Sequence, residues 1–130
     1  MLRYAFVIAV CLAACLIAQE EAVPTIPQLT KDGDAFYLKG DYERALEFRQ
    51  LHPDQHAIHA YVDYIPVYGQ LGRKEEALEN WRKLLAEDRG WTAESFENWY
   101  HLFNMRHQDI AKLMDGVTKS GVLEAEAKPD

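Results

Sequence analysis

The stretch Leu38-Lys39-Gly40-Asp41-Tyr42-Glu43-Arg44-Ala45-Leu46-Glu47 is answered further along the chain by Leu71-Gly72-Arg73-Lys74-Glu75-Glu76-Ala77-Leu78-Glu79. Setting Gly40 on Gly72 lays Ala45 on Ala77, Leu46 on Leu78 and Phe36 on Tyr68. A Gly lets the chain reverse sharply between two antiparallel helices. A small Ala five residues later lets those helices approach closely, and an aromatic on the preceding helix fills the space beside it. Two hairpins built on one plan are therefore expected, the first with a short second helix that ends before Pro53.

The flanking periodicity is helical. Ala77, Leu78, Trp81, Leu84 and Leu85 share one face of the run from Lys74 to Leu85, and Glu75, Glu76, Glu79, Arg82 and Lys83 fall off it. Ile110, Leu113, Met114 and Val117 recur at i, i+3, i+4 and i+7, and Gly121 stands where a left-handed cap belongs, with Val122 placed to fold back on the helix end. Thr92 is placed to cap a helix over 93–103. Asn104-Met105-Arg106 occupies the last turn, where a Gly would match the other two. Pro66 lies inside a helical pattern and predicts a kink or break near Asp63 to Ile65. No run alternates with period two for long enough to argue a strand.

The paired Gly/Ala/Leu signature over residues 29–90 resembles the tetratricopeptide repeat, a helix-turn-helix unit of ~34 residues. The resemblance implies an all-α fold, a short solenoid of about three helical hairpins. The segment Gly90-Trp91-Thr92-Ala93-Glu94-Ser95-Phe96, then Trp99, Asp109 and Asp115 to Val122, is similar to the closing segment of tetratricopeptide regions in alphaproteobacterial proteins, many of which follow a cyclase or regulator domain. It implies a C-terminal cap and carries no cyclase activity.

Residues 1–18, MLRYAFVIAVCLAACLIA, join one Arg to an apolar run ending in small residues. The run is short for a bilayer span and reads as a secretory signal peptide. Leu12-Ala13-Ala14-Cys15 also fits a lipoprotein box, which would end the signal at residue 14 and tether the chain to a membrane through an acylated Cys15. Export to the periplasm or the extracellular space is expected. Residues 19–29, with Pro24 and Pro27, read as an extended tether, residues 30–122 as the helical domain and residues 123–130 as a flexible tail.

The remaining chemistry is read by exclusion. The 130-residue chain carries 14 Lys+Arg against 21 Asp+Glu, a net charge of −7, so no nucleic-acid partner is expected. Its two Cys fall in the first 15 residues, which leaves no disulfide framework and no thiol nucleophile in the domain. There is no phosphate-cradling Gly loop and no nucleophile elbow, so no enzyme and no cofactor are expected. Adjacent acids such as Glu75 with Glu76 and Glu87 with Asp88 project in different directions on a helix and read as solvated surface.

In the family that the repeats resemble, the first helix of each hairpin lines a concave groove for an extended peptide or a partner helix. On this sequence those positions are Asp34, Tyr37, His59, Val62, Asp63 and Pro66, followed by Phe96 and Tyr100. The set is acidic and aromatic, which favours a peptide with positive charge and an apolar anchor. The expected function is a non-catalytic protein- or peptide-binding adaptor. Two alternatives stand beside it. One is a small metal-binding protein using His56, His59 and Asp63, which follow one another at near-helical spacing. The other is a structural protein that associates with itself through its solenoid ends.

Overall fold

In the computed structural model, which describes residues 26–126, the chain is all-helical, and no strand occurs among the described residues. The helices are α1 (Ile26–Leu38), α2 (Tyr42–Leu51), α3 (Ala57–Gln70), α4 (Lys74–Glu87), α5 (Ala93–Leu102), α6 (His107–Ser120) and α7 (Val122–Glu126). None of them is long and apolar enough to cross a membrane. The expected signal segment, its expected cleavage points and Cys15 lie outside the described residues.

The two glycine turns are built alike. Gly40 has φ +82° and Gly72 has φ +70°. Gly40 N–H donates to Tyr37 O at 2.9 Å and Asp41 N–H to Phe36 O at 3.0 Å. In the second turn Gly72 N–H donates to Gly69 O at 3.2 Å and Arg73 N–H to Tyr68 O at 2.9 Å. Both are the paired closing bonds of a helix that ends in a left-handed residue. An added Cβ would meet nothing within 4 Å at either glycine, so a substitution there is opposed by the backbone alone. Gly40→Ala and Gly72→Ala are each expected to cost about 1 kcal/mol. A urea titration of the single and double variants checks this, and the losses should add, since the turns share no partner.

Other caps follow the sequence. Thr92 accepts from Ser95 N–H while Ser95 Oγ accepts from Thr92 N–H, a reciprocal box at the start of α5. Gly121 caps α6 at φ +79°, and Val122 behind it is fully buried. Between α5 and α6 the residue in the left-handed region is Asn104, φ +55°, one of the few side chains that tolerate it. Helix α2 ends at Leu51, two residues before Pro53.

Three boundaries differ from the sequence reading. Helix α1 starts at Ile26, so its first turn takes the last residues assigned to the tether. Pro27 is tolerated there because first-turn amides have no intrahelical acceptor. Helix α3 runs unbroken through Pro66, with no break at 63–65. Pro66 is itself fully buried, held between α3 and α6. Helix α7 begins at Val122, inside the assigned domain, and runs on into the first residues assigned to the tail.

The core gathers Tyr37, Ala45, Leu46, Val62, Ile65, Val67, Ala77, Trp81, Leu84, Phe96, Tyr100, Leu113 and Val117. Helix α4 joins α5 through Trp81 and Phe96, whose rings stack 6.1 Å apart. Helix α6 lies against α3 at two glycines. A Cβ on Gly69 would overlap the Gly116 carbonyl, and a Cβ on Gly116 would sit 2.6 Å from Pro66 O. The Tyr37 hydroxyl of α1 donates to Lys112 O of α6 at 2.6 Å. At the rim Gln70 donates to Asp115 at 3.0 Å, and Lys119 donates to Gln70 Oε1 at 3.2 Å. The sixth helix thus lies along α3 and meets the end of α1 through Tyr37.

Candidate functional site

Packing decides where the expected groove residues sit. Tyr37, Val62, Pro66, Phe96 and Tyr100 are buried, and the Asp34, His59 and Asp63 side chains are only 14–15% exposed. They form interior, not an open concave surface. The physical reason differs along the set: Tyr37 and Pro66 lie against Gly116 of α6, Phe96 packs on Trp81 and Trp91, His59 packs on Trp99 and Phe103, and Asp34 and Asp63 close on one cation.

Inside, the acids have a partner. Arg49 of α2 donates through Nη2 to Asp34 Oδ1 at 2.6 Å and through Nη1 to Asp63 Oδ2 at 2.7 Å. One guanidinium therefore ties α1 and α3 to α2. Gly33 makes room for it, since a Cβ there would stand 3.1 Å from Arg49 Cζ. Arg49 Nε and the Tyr100 hydroxyl have no partner among the described residues. Burial pushes the Asp34 carboxyl up to about 6, against the pull of Arg49 and with a further push from Asp63. Asp63 is raised by burial too, with Arg49 and His59 opposing. Burial, with the negative field of Asp63 and Asp34, also holds the Tyr100 phenol protonated. Two carboxylates face one cation in a dry interior, so the cluster carries an excess of negative charge.

This has a pH consequence. The Asp34 carboxyl titrates at about 6 when folded and at its ordinary 3.8 when unfolded, so between these values the folded chain binds the extra proton. The unfolding free energy should therefore fall as pH rises from about 4 to about 6 and change little from this source above that. The effect is about 2 kcal/mol. Chemical denaturation of the wild type and Asp34→Asn at pH 5 and 7.5 checks it: the wild type loses stability at the higher pH, and the variant loses less.

The second constellation lies at the start of α3. Loop residue Asp54 accepts from His59 Nδ1 at 2.8 Å, if the proton is assigned there by the hydrogen bond, and from His56 N–H at 2.9 Å. The His59 ring meets Trp99 edge to face at 4.7 Å and Phe103 at 5.1 Å. Trp99 is held by Trp91 at 5.7 Å. Beside them opens a cavity of about 430 Å³ lined by Gln55, His56, Ile58, His59, Glu87 and Trp99. Its lining has no hydroxyl or thiol nucleophile. Aromatic and aliphatic walls with a few polar groups suit recognition of a side chain. Phe103, 38% exposed, and Leu102, 75% exposed, continue the apolar surface at the end of α5.

The metal alternative is not assembled. His59 is taken by Asp54 and Asp63 by Arg49, and no metal-binding group of three or more His, Cys, Asp or Glu occurs among the described residues. Tyr64 is half-buried and stacks on Tyr68 at 5.7 Å. Of the expected groove set, His59 alone lines the cavity. Sequence reasoning missed Arg49, Asp54, Glu87 and Trp99 as site residues. Arg49 carries a legible signal: it shares the face of Ala45 and Leu46, at i+4 and i+3, where a core residue belongs.

Comparison with protein families, with curated proteins and with solved structures finds no match for this chain.

Proposed function

We propose that the protein is a non-catalytic helical adaptor that binds a peptide segment of another protein at the His59–Trp99 cavity. The observation that carries this reading is the cavity itself, about 430 Å³ walled by Trp99, Ile58 and His59 and continued outward by the exposed Phe103. One anchoring side chain of the partner would fill it, in the way a few buried contacts dominate an interface. The first two hairpins are tetratricopeptide-type repeats in this reading. Supporting it are the matching hydrogen bonds of the Gly40 and Gly72 turns and the complete burial of both Ala45 and Ala77. The apolar run over residues 4–18 supports export, with Cys15 as the tether if the chain is acylated; the intact mass of the exported protein reads this directly.

Selection of a random dodecapeptide library on the purified protein tests the reading. Enriched peptides should bind with micromolar Kd and shift the amide resonances of residues 55–59 and the Trp99 indole. Trp99→Ala should weaken them about tenfold or more. Failure to enrich any sequence, or peptides that bind without moving those resonances, overturns it.

A further inference from the structure

We infer that the cavity takes a basic side chain of the partner, arginine ahead of lysine, with the guanidinium laid on the Trp99 indole and paired to the Glu87 carboxylate. The inference rests on the peptide-binding reading above and names the chemistry of the anchor. Glu87 is the one acid lining the cavity and is exposed there. Among the described residues it forms no ion pair. It also ends α4, whose last turn has no basic residue. A helix C-terminus is the negative pole of its dipole and favours a cation, yet the chain has placed Glu87 and then Asp88 there. An acid at that pole is a local cost that a bound cation relieves.

The aromatic wall adds the second half. Trp is the best of the aromatic faces for a cation, and arginine's planar guanidinium both stacks on it and forks onto a carboxylate. His59 and Trp91 meet Trp99 at 78° and 62°, and these contacts hold the indole in place. The other acid close by, Asp54, is already committed to His59. Glu87 is thus the acid left to pair with a ligand, and the walls of Ile58 and Trp99 can hold the aliphatic stem of a long basic side chain.

The test uses N-acetyl-argininamide, N-acetyl-lysinamide and the neutral isostere N-acetyl-citrullinamide as probes. Shifts of the Trp99 indole and of the amides of residues 55–59 and 87 are followed in the full protein and in Glu87→Gln. The arginine probe should give saturable shifts, with lysine weaker. Citrulline should bind about tenfold more weakly, and Glu87→Gln should erase most of the difference between arginine and citrulline. Equal binding of arginine and citrulline, or an unchanged preference in Glu87→Gln, overturns the inference. The library separates it from its premise. Trp99-dependent peptides that carry no basic residue would sink the arginine anchor and leave peptide binding standing. No Trp99-dependent peptide at all would remove both.

Discussion

Replacing Arg49 by Met should lower the unfolding free energy by about 3–5 kcal/mol, enough to unfold a large share of a marginally stable domain. The cause is the company Arg49 keeps. Its two terminal nitrogens lie 2.6 Å from Asp34 and 2.7 Å from Asp63, and both carboxylates are largely shielded from water. Met fills the volume of the stem but leaves two like charges facing each other across a dry gap. Both acids are already raised by burial with the cation present, so removing it drives them further toward the protonated form. The loss should therefore shrink at pH 5, where protonation relieves the repulsion. Replacing all three residues together, Arg49→Met with Asp34→Leu and Asp63→Leu, should recover most of it, because a packed apolar triad has no charge to strand. Urea titrations of the single and triple variants at both pH values decide this. A single-variant loss under about 1 kcal/mol would mean the acids reach water, contrary to the burial described.

The second large effect is expected at the crossing of α3 and α6. Gly69→Ala should cost about 2–4 kcal/mol although Ala is the better helix former. A methyl at Gly69 overlaps the Gly116 carbonyl, which is backbone and cannot swing aside. The helices must separate, and that loosens Pro66, Ile110, Leu113 and Val117 together. Gly116→Ala should behave alike, since its Cβ would stand 3.0 Å from Pro66 Cα and crowd the Tyr37 hydroxyl. A thermal melt shows the loss. Hydrogen exchange at Lys112 to Val117 should quicken more than at the distant Gly40 turn, which separates helix parting from a general weakening.

The fold was legible where it depends on local chemistry. Gly40, Gly72, Gly121 and Thr92 announce their roles because turns and caps are decided by the residue itself. What periodicity cannot convey is which element comes to lie on an apolar face. Tyr37 and Pro66 read as groove positions, but whether they meet solvent, a partner or α6 depends on a contact between Gly69 and Gly116, which lie far apart in the chain. Both are helix-interior glycines, which look locally like mere weak points. The break expected at Pro66 is absent for a related reason: α3 continues through it where Pro66 is buried against α6. The cavity was hidden because Glu87 and Trp99 belong to different helices, and neither spacing nor pattern joins them to His59.

The bonds that assemble this interior span very different lengths of chain. Arg49 reaches its two acids across 14 and 15 residues, whereas Tyr37 reaches Lys112 across 75 and Gln70 reaches Asp115 across 45. During synthesis the charge cluster can close soon after Asp63 emerges, yet the Tyr37 hydroxyl, Gln70 and Gly69 wait for their α6 partners until the ribosome has delivered that helix. A nascent chain therefore passes through a stage in which the α3 face that meets α6 is bare, and its last-made helix is the one that closes the core.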